Sequence, residues 1–143
     1  MHVSEIMKEK NCNVITVRPN ANLERAIEML VSNKIGAVPV REPDGDVIGL
    51  LTERDIMHGI ARHGTDVLEQ RVDELMTKKV YHCAPGDNLK HIMSVMTIKH
   101  VRHLLVMDDN RLAAIVSLGD VIRNRLDDSQ LEVDVLRDYA RIH

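Results

Sequence analysis

Aromatic residues are almost missing from this sequence. Its 143 residues include two tyrosines but no phenylalanine and no tryptophan. Hydrophobic residues still make up 44% of the chain, so its core must be built from aliphatic side chains and methionine. Two tyrosines cannot form the aromatic platforms on which single-stranded nucleic acids stack. The net charge of −3, without any run of basic residues, is also unlike a nucleic-acid-binding surface. We therefore expect no nucleic acid partner.

Cysteines and long apolar runs are also scarce. Cys12 and Cys83 form no CxxC pair and no disulfide framework, and we interpret Cys83 as a small buried hydrophobe in a strand. No apolar stretch approaches ~18 residues, and the N-terminus lacks a signal-peptide pattern. We expect a cytoplasmic protein without a membrane segment. A P-loop, a nucleophile elbow, a zinc signature and a carboxylate dyad are absent from the sequence, so we expect no enzymatic activity.

What the chain does contain is one pattern that occurs twice. Residues 14–19 align with residues 80–85 at an offset of 66, and apolar positions continue to coincide through both segments. After the loss of one residue, Leu50–Ile56 aligns with Ile115–Val121 at an offset of 65. Each unit is too small to bury a good core alone, so we expect the two to pack as one body.

Hydrophobic periodicity predicts the same order of elements in each unit: strand, helix, strand, strand, helix. The predicted boundaries are 1–66 for the first repeat, 67–128 for the second repeat and 129–143 for a C-terminal amphipathic helix. His63 and Gly64 should end the last helix of the first repeat, and a charged connecting segment should follow to Met76. The C-terminal helix carries an apolar stripe, formed by Leu131, Val135, Tyr139 and Ile142. This stripe either docks on its own domain or forms a subunit contact.

Each repeat contains a Thr/Ser-x-x-Asp signature where an apolar strand meets a helix. These residues are Thr52 and Asp55 in the first repeat, and Ser117 and Asp120 in the second. One interpretation is an ordinary helix cap, in which the hydroxyl and the carboxylate bond to the first turn. The other is a ligand site, because a carboxylate suits the vicinal hydroxyls of a ribose, while a hydroxyl at a helix N-terminus suits a phosphate. The signature alone does not decide between the two.

The segments around these signatures resemble the tandem CBS-domain module, or Bateman module, of the small stand-alone bacterial type. The resemblance covers residues 3 to about 126. It is carried by an ordered set of segments that occurs in both repeats: Thr16–Pro19, Ile35–Val40, Asp44–Asp55, Val101–Val106 and Ala114–Asp120.

The resemblance implies an α/β fold of two β-α-β-β-α repeats related by a pseudo-twofold axis, with two clefts between them. It also implies a regulatory or sensor module that binds adenosine-containing ligands: AMP, ADP, ATP, NAD(H) or S-adenosylmethionine. Asp55 and Asp120 would bind ribose. The phosphate group would be bound by Thr52, Arg54, Ser117, Arg102 and His103. The adenine pockets would be lined by Thr16, Ala37, Val38, Pro39, Tyr81, His82 and Leu104.

The second repeat departs from the family pattern. Arg102 stands where the first repeat has Gly36, and Leu105 stands where it has Pro39. His82 is bulky for its position in the first strand of the repeat. We therefore expect two unequal sites. The group of His100, Arg102 and His103 could be a metal site, a solvated basic rim or a phosphate contact. We favour the phosphate contact and predict no metal.

Two competing functions stay open. The module could be a ligand-free interaction scaffold, or it could be an uncharacterised nucleotide hydrolase. We also expect a homodimer, because the helices after Asp55 and Asp120 carry several apolar residues that a small repeat pair cannot easily cover. These residues are Ile56, Met57, Ile60, Val121 and Ile122. A downstream protein target is expected, but its identity is open.

Overall fold

The computed structural model describes residues 1–10, 14–125, 137, 140 and 141. The chain forms two compact units. The 15–80 unit is Ile15–Val80, and the 81–143 unit combines Tyr81–His143 with the N-terminal segment Met1–Val14. The predicted C-terminal helix at 129–143 lies outside the described residues, apart from 137, 140 and 141, and so do the four residues of its apolar stripe.

The helices and strands follow the predicted order, except that the opening strand of the first repeat is reduced to an isolated bridge and two further helices are present. In chain order the elements are α1 (Val3–Glu9), α2 (Leu23–Asn33), β1 (Ala37–Arg41), β2 (Val47–Thr52), α3 (Glu53–His63), a 3₁₀ turn (Gly64–Glu69), α4 (Val72–Leu75), β3 (His82–Cys83), α5 (Leu89–Lys99), β4 (His103–Asp108), β5 (Arg111–Ser117) and α6 (Leu118–Arg125). Asn22 caps α2 by accepting a hydrogen bond from the Arg25 N–H, as its position before the apolar pattern predicts. The predicted mixed α/β fold with two repeats is confirmed.

The strands of each unit form a small sheet. In the 15–80 unit β1 pairs antiparallel with β2, and in the 81–143 unit β4 pairs antiparallel with β5. The opening strand of the second repeat is β3, which pairs parallel with β4. Its counterpart in the first repeat is a single parallel bridge between Val17 and Val40. In this bridge the Val17 N–H donates a hydrogen bond to the Pro39 carbonyl at 3.0 Å. The first repeat therefore keeps the position of this strand but only one residue of its pairing.

Two aliphatic cores lie between the sheets and the helices. The core of the 15–80 unit consists of Val17, Leu23, Ala26, Leu30, Val38, Val40, Leu51, Val67 and Val72. The core of the 81–143 unit consists of Val3, Ile6, Cys83, Leu89, Ile92, Met96, Leu104, Val106, Ala114, Val116 and Val121. Among the described residues, the buried members of both cores are aliphatic side chains, methionine and cysteine, and Tyr81 packs against the core of the 81–143 unit while only partly buried. Cys83 is buried, which confirms its interpretation as a small hydrophobe. Burial, with a smaller contribution from the charge of Asp87, raises the pKa of its thiol to about 12.

The two helices that the sequence analysis missed, α1 and α4, close these cores. Val3 and Ile6 of α1 are buried in the 81–143 unit, and Val72 of α4 is buried in the 15–80 unit. The charged connecting segment predicted before Met76 was therefore wrong as a description, because it contains the 3₁₀ turn and α4. Each helix stands before one repeat in the sequence and packs into the unit that holds the other.

Backbone hydrogen bonds show that α1 and α4 are equivalent. The Val3 N–H donates to the Asp87 carbonyl at 2.9 Å, and the Val72 N–H donates to the Ala21 carbonyl at 2.8 Å. Asp87 and Ala21 occupy corresponding positions of the two repeats, at the offset of 66. The repeat therefore extends further towards the N-terminus than the alignment of residues 14–19 suggests.

Candidate functional site

At the end of β2, Thr52 and Asp55 form a reciprocal cap on α3. The Asp55 N–H donates to the Thr52 hydroxyl oxygen at 3.2 Å, and the Thr52 N–H donates to Asp55 Oδ2 at 2.9 Å. This is a complete capping box, which satisfies two backbone donors at the start of the helix. The capping interpretation of the first signature is therefore correct. It uses only one carboxylate oxygen of Asp55.

Ser117 and Asp120 repeat this arrangement between β5 and α6. The Asp120 N–H donates to the Ser117 hydroxyl oxygen at 3.1 Å, and the Ser117 N–H donates to Asp120 Oδ2 at 2.9 Å. The two signatures therefore have the same local geometry. What differs is the set of side chains that contacts each carboxylate.

The Asp55 carboxylate contacts a neutral hydroxyl. Asp55 Oδ1 accepts a hydrogen bond from the Thr77 hydroxyl at 2.8 Å. Thr77 is held beside β2 by two backbone hydrogen bonds with Leu50, both 2.9 Å long. Asp55 is half-buried and Thr77 is exposed. A carboxylate at this position is reachable from solvent and still able to accept further hydrogen bonds.

The Asp120 carboxylate contacts two cations. Lys10 Nζ lies 2.6 Å from Asp120 Oδ2 and also donates to the Ile115 carbonyl at 3.0 Å. Arg123 donates to Asp120 Oδ1 at 2.5 Å. Asp120 is only 3% exposed. Burial alone would raise its pKa, but the hydrogen bonds from Lys10 and Ser117 and the charge of Lys10 outweigh it and lower the pKa below its ordinary value of 3.8.

Lys10 and Thr77 were missed by sequence reasoning, although a signal for them exists. Residues 3–7 (VSEIM) match residues 72–76 (VDELM) at a second offset of 69, and the two matched segments are α1 and α4. Thr77 directly follows the second copy, and Lys10 follows the first copy after two residues. Lys10 bonds to Ile115 of β5, and Thr77 bonds to Leu50 of β2. Ile115 and Leu50 are corresponding positions of the two repeats. Extending the repeat search to residues 3–7 would have placed both near the aspartates.

The predicted phosphate contacts lie beside the same two junctions. The Glu53 N–H donates to the Gly36 carbonyl at 3.0 Å, and in the second repeat the Leu118 N–H donates to the Arg102 carbonyl at 2.8 Å. His103 pairs with Ser117 across β4 and β5. The structure therefore brings Arg102 and His103 next to Ser117 in the 81–143 unit.

Arg54 lies on the first turn of α3 and is exposed. Arg102, directly before β4, is also exposed. His100 caps the end of α5 in the left-handed backbone region, with a φ of 55°. Among the residues that the structure describes, no three His, Cys, Asp or Glu side chains are grouped so that they could hold a metal ion.

The predicted adenine contacts divide between surface and core. In the 15–80 unit, Thr16 is half-buried next to the Val17 bridge, and Ala37, Val38 and Pro39 are buried in β1. Val38 is fully buried and belongs to the core. Its position gives it a packing role, and an adenine contact for it stays a prediction.

In the 81–143 unit, Tyr81 is half-buried and His82 is exposed. The Leu105 N–H donates to the Tyr81 carbonyl at 3.0 Å, and Lys99 Nζ lies 5.7 Å from the centre of the Tyr81 ring. Leu104 is fully buried in the core of this unit, like Val38 in the other. Tyr81 packs against the same core, so an adenine contact for Tyr81 and for Leu104 stays a prediction.

Comparison with known proteins identifies the repeats. The CBS domain family model matches residues 3–62 and 72–127. An uncharacterized protein of Methanocaldococcus jannaschii, MJ1225, is 32% identical over 123 residues, which are 85% of this chain. The match covers only 41% of the length of that protein.

Solved structures share the fold. The crystal structure of the CBS-domain containing protein ATU1752 from Agrobacterium tumefaciens has a TM-score of 0.84 and 38% identity, over 87% of this chain and 92% of that one. The CBS domain pair of protein MJ0100, solved in complex with 5′-methylthioadenosine and S-adenosyl-L-methionine, has a TM-score of 0.76 and 23% identity, over 86% of this chain and 98% of that one. In the described part of this chain, no helix has the length and apolar character needed to cross a membrane.

Proposed function

This chain belongs to the CBS domain family, and we propose that it is a regulatory module that binds adenosine-containing ligands through Asp55 and Asp120. The observation that carries the proposal is the state of the Asp55 carboxylate. It is fixed by the α3 cap and half-buried, and within the described part of the chain its other oxygen is bonded only to a neutral hydroxyl. A ribose can donate two hydroxyl hydrogen bonds to such a carboxylate without displacing a charged side chain.

The ligand class is supported by both repeats. Each aspartate stands at a helix N-terminus, where free N–H groups and the helix dipole favour a phosphate. Arg102 and His103 lie beside Ser117 and add positive charge at that end of the second repeat. The MJ0100 domain pair, which has the same fold, was crystallised with two adenosine compounds. AMP, ADP, ATP, NAD(H) and S-adenosylmethionine all carry the adenosine group that this arrangement fits.

The proposal includes a regulatory role without catalysis. Asp55 and Asp120 both act as helix caps, which leaves their carboxylates fixed hydrogen-bond acceptors rather than mobile bases. A nucleotide hydrolase would release AMP or ADP from ATP during a long incubation, whereas a binding module returns the ligand intact. Product analysis by chromatography distinguishes the two.

Isothermal titration calorimetry tests the binding itself. AMP, ATP, NADH and S-adenosylmethionine are titrated into the unmodified protein and into Asp55→Asn, Asp120→Asn and the double variant. Loss of a charge-assisted hydrogen bond costs roughly 1.5–3 kcal/mol, so each single variant should lose about tenfold or more at its own site. Asp44→Asn, in the exposed turn between β1 and β2, is the matched control and should bind normally. Equal affinity in all variants would contradict the ribose role.

A ligand-free scaffold is the second candidate, favoured by the exposed apolar surface of α3. Met57 is 70% exposed and Ile60 is 43% exposed, on the helix that follows Asp55. Such residues are typical of a protein contact. A scaffold would assemble with its target and give no heat with any of the four adenosine compounds.

A further inference from the structure

The two aspartates differ in how many acceptor positions remain open. A carboxylate has about four lone-pair positions, two on each oxygen. Asp55 Oδ2 accepts from the Thr52 N–H, and Oδ1 accepts from the Thr77 hydroxyl. Counting the described residues, each oxygen of Asp55 keeps one open position. A vicinal diol can therefore place one hydroxyl on each oxygen without breaking any existing bond.

Asp120 does not have this freedom. Its Oδ2 accepts from both the Ser117 N–H and Lys10 Nζ, and its Oδ1 accepts from Arg123. Both positions on Oδ2 are therefore filled, while Oδ1 keeps one. A diol that bridges the two oxygens must displace one donor from Oδ2.

Lys10 is the donor that can leave. The Ser117 N–H is part of the α6 cap, and its release would break the start of that helix. Arg123 occupies Oδ1, which already has an open position, so its departure does not help. The Lys10 side chain is 38% exposed and sits on a flexible stem, so its ammonium group can move while the backbone of α1 stays in place.

We propose that Lys10 is a latch: its ion pair with Asp120 keeps the second ribose-acceptor site closed until a phosphate binds the ammonium group. This site would therefore select phosphorylated adenosine ligands over uncharged ones. The inference rests on the proposed function. An uncharged nucleoside must separate the Lys10–Asp120 ion pair and offers the ammonium nothing in return. A nucleotide places its ribose on Asp120 and its phosphate near the same helix N-terminus, so the ammonium exchanges a carboxylate for a phosphate. Lys10 is thus a specificity-determining residue.

Among the described residues, the first repeat has no latch of this kind. The side chain that contacts Asp55 is that of Thr77, which carries no charge and fills one acceptor position, on Oδ1. It can keep its hydrogen bond while a ribose binds. We therefore expect the site at Asp55 to discriminate much less between adenosine and AMP than the site at Asp120.

Calorimetry in the Asp55→Asn background isolates the second site. Adenosine and AMP are titrated into D55N, D55N/K10M and D55N/K8M. Lys8 is an exposed lysine in the last turn of α1, two residues before Lys10, and serves as the matched control. In D55N and D55N/K8M, AMP should bind at least about tenfold more tightly than adenosine. In D55N/K10M, adenosine should gain affinity, AMP should lose it, and the ratio should be at least about threefold smaller than in D55N/K8M. A ratio unchanged by K10M would overturn the latch.

Absence of binding of both compounds to the unmodified protein would instead overturn the proposed function, and the latch with it. Thermal unfolding without ligand confirms that each variant is folded.

Discussion

At the scale of single residues, the same carboxylates stabilise the fold and are proposed to bind the ligand. Asp55 and Asp120 each accept a backbone hydrogen bond at the start of a helix. The sequence predicted the residues and their spacing, since Thr/Ser-x-x-Asp after an apolar strand is readable without a structure. It did not predict Lys10 or Thr77 as their neighbours, because both come from segments that are distant along the chain. Long-range contacts of this kind are set by packing rather than by local pattern.

The stability of the protein at acid pH should depend on Asp120. Its pKa is lower in the folded state than its ordinary value of 3.8, so the ionised form stabilises the fold. This contribution is complete above about pH 4 and is lost as the pH falls through the lower, folded-state pKa. Asp120→Asn should lower the free energy of unfolding at pH 7 by roughly 1.5–3 kcal/mol, because charge-assisted hydrogen bonds are lost.

Urea unfolding between pH 2.5 and pH 7 measures this effect. The difference between the unmodified protein and Asp120→Asn should shrink below pH 4, because both then lack the carboxylate charge. Asp44→Asn, in an exposed turn, should follow the unmodified protein throughout. A difference that stays constant down to pH 2.5 would show that the charge of Asp120 does not stabilise the fold.

At the scale of elements, long periodic segments were predicted well and short ones were not. The helices α2 and α5 begin after Asn22 and Asn88, close to the predicted starts, and each has eleven residues, which is long enough for a hydrophobic pattern to be read from the sequence. By contrast, α4 has four residues, which is too short for any periodicity. Its helical form depends on burial of Val72 in the core and on backbone hydrogen bonds to residues 19 and 21.

The packing of the segment after α4 against β2 gives a test at this scale. A Cβ added at Gly49 would lie 2.5 Å from Met76 Sδ and 3.0 Å from the Thr77 carbonyl oxygen. Gly49→Ala should therefore push this segment away and lower the free energy of unfolding by about 1–3 kcal/mol. Gly86→Ala is the matched control, because a Cβ there meets no atom within 4 Å. Urea unfolding that finds Gly49→Ala as stable as Gly86→Ala would refute the tight contact.

At the scale of the whole molecule, the two repeats share a fold but differ in charge at their ribose acceptors. The sequence predicted inequality from Arg102 in place of Gly36 and from Leu105 in place of Pro39. The structure adds a larger difference, since Asp120 is paired with two cations and Asp55 with a hydroxyl. The identity of the ligand was not predictable, because hydrogen bonds to a ribose and a phosphate are common to every adenosine nucleotide.

Exposed apolar residues on α3 support the prediction of a homodimer. Of the five apolar residues on which that prediction rests, Val121 is buried in a core and Ile56 and Ile122 are half-buried, whereas Met57 and Ile60 are exposed. We expect light scattering at micromolar concentration to give about twice the mass of one 16.2 kDa chain. Met57→Glu combined with Ile60→Glu should shift the protein to a monomer, whereas Val31→Glu, at another exposed apolar position, should not. A mass near one chain for the unmodified protein would contradict this prediction.

The central claim is that a ribose diol binds to the carboxylates of Asp55 and Asp120. Calorimetry with AMP and 2′-deoxy-AMP tests it most directly, because the two ligands differ only by one hydroxyl group. AMP should bind to the unmodified protein about tenfold or more tightly, since the deoxy compound loses one charge-assisted hydrogen bond. In the Asp55→Asn, Asp120→Asn double variant, this difference should largely disappear. Equal binding of AMP and 2′-deoxy-AMP to the unmodified protein would contradict the claim.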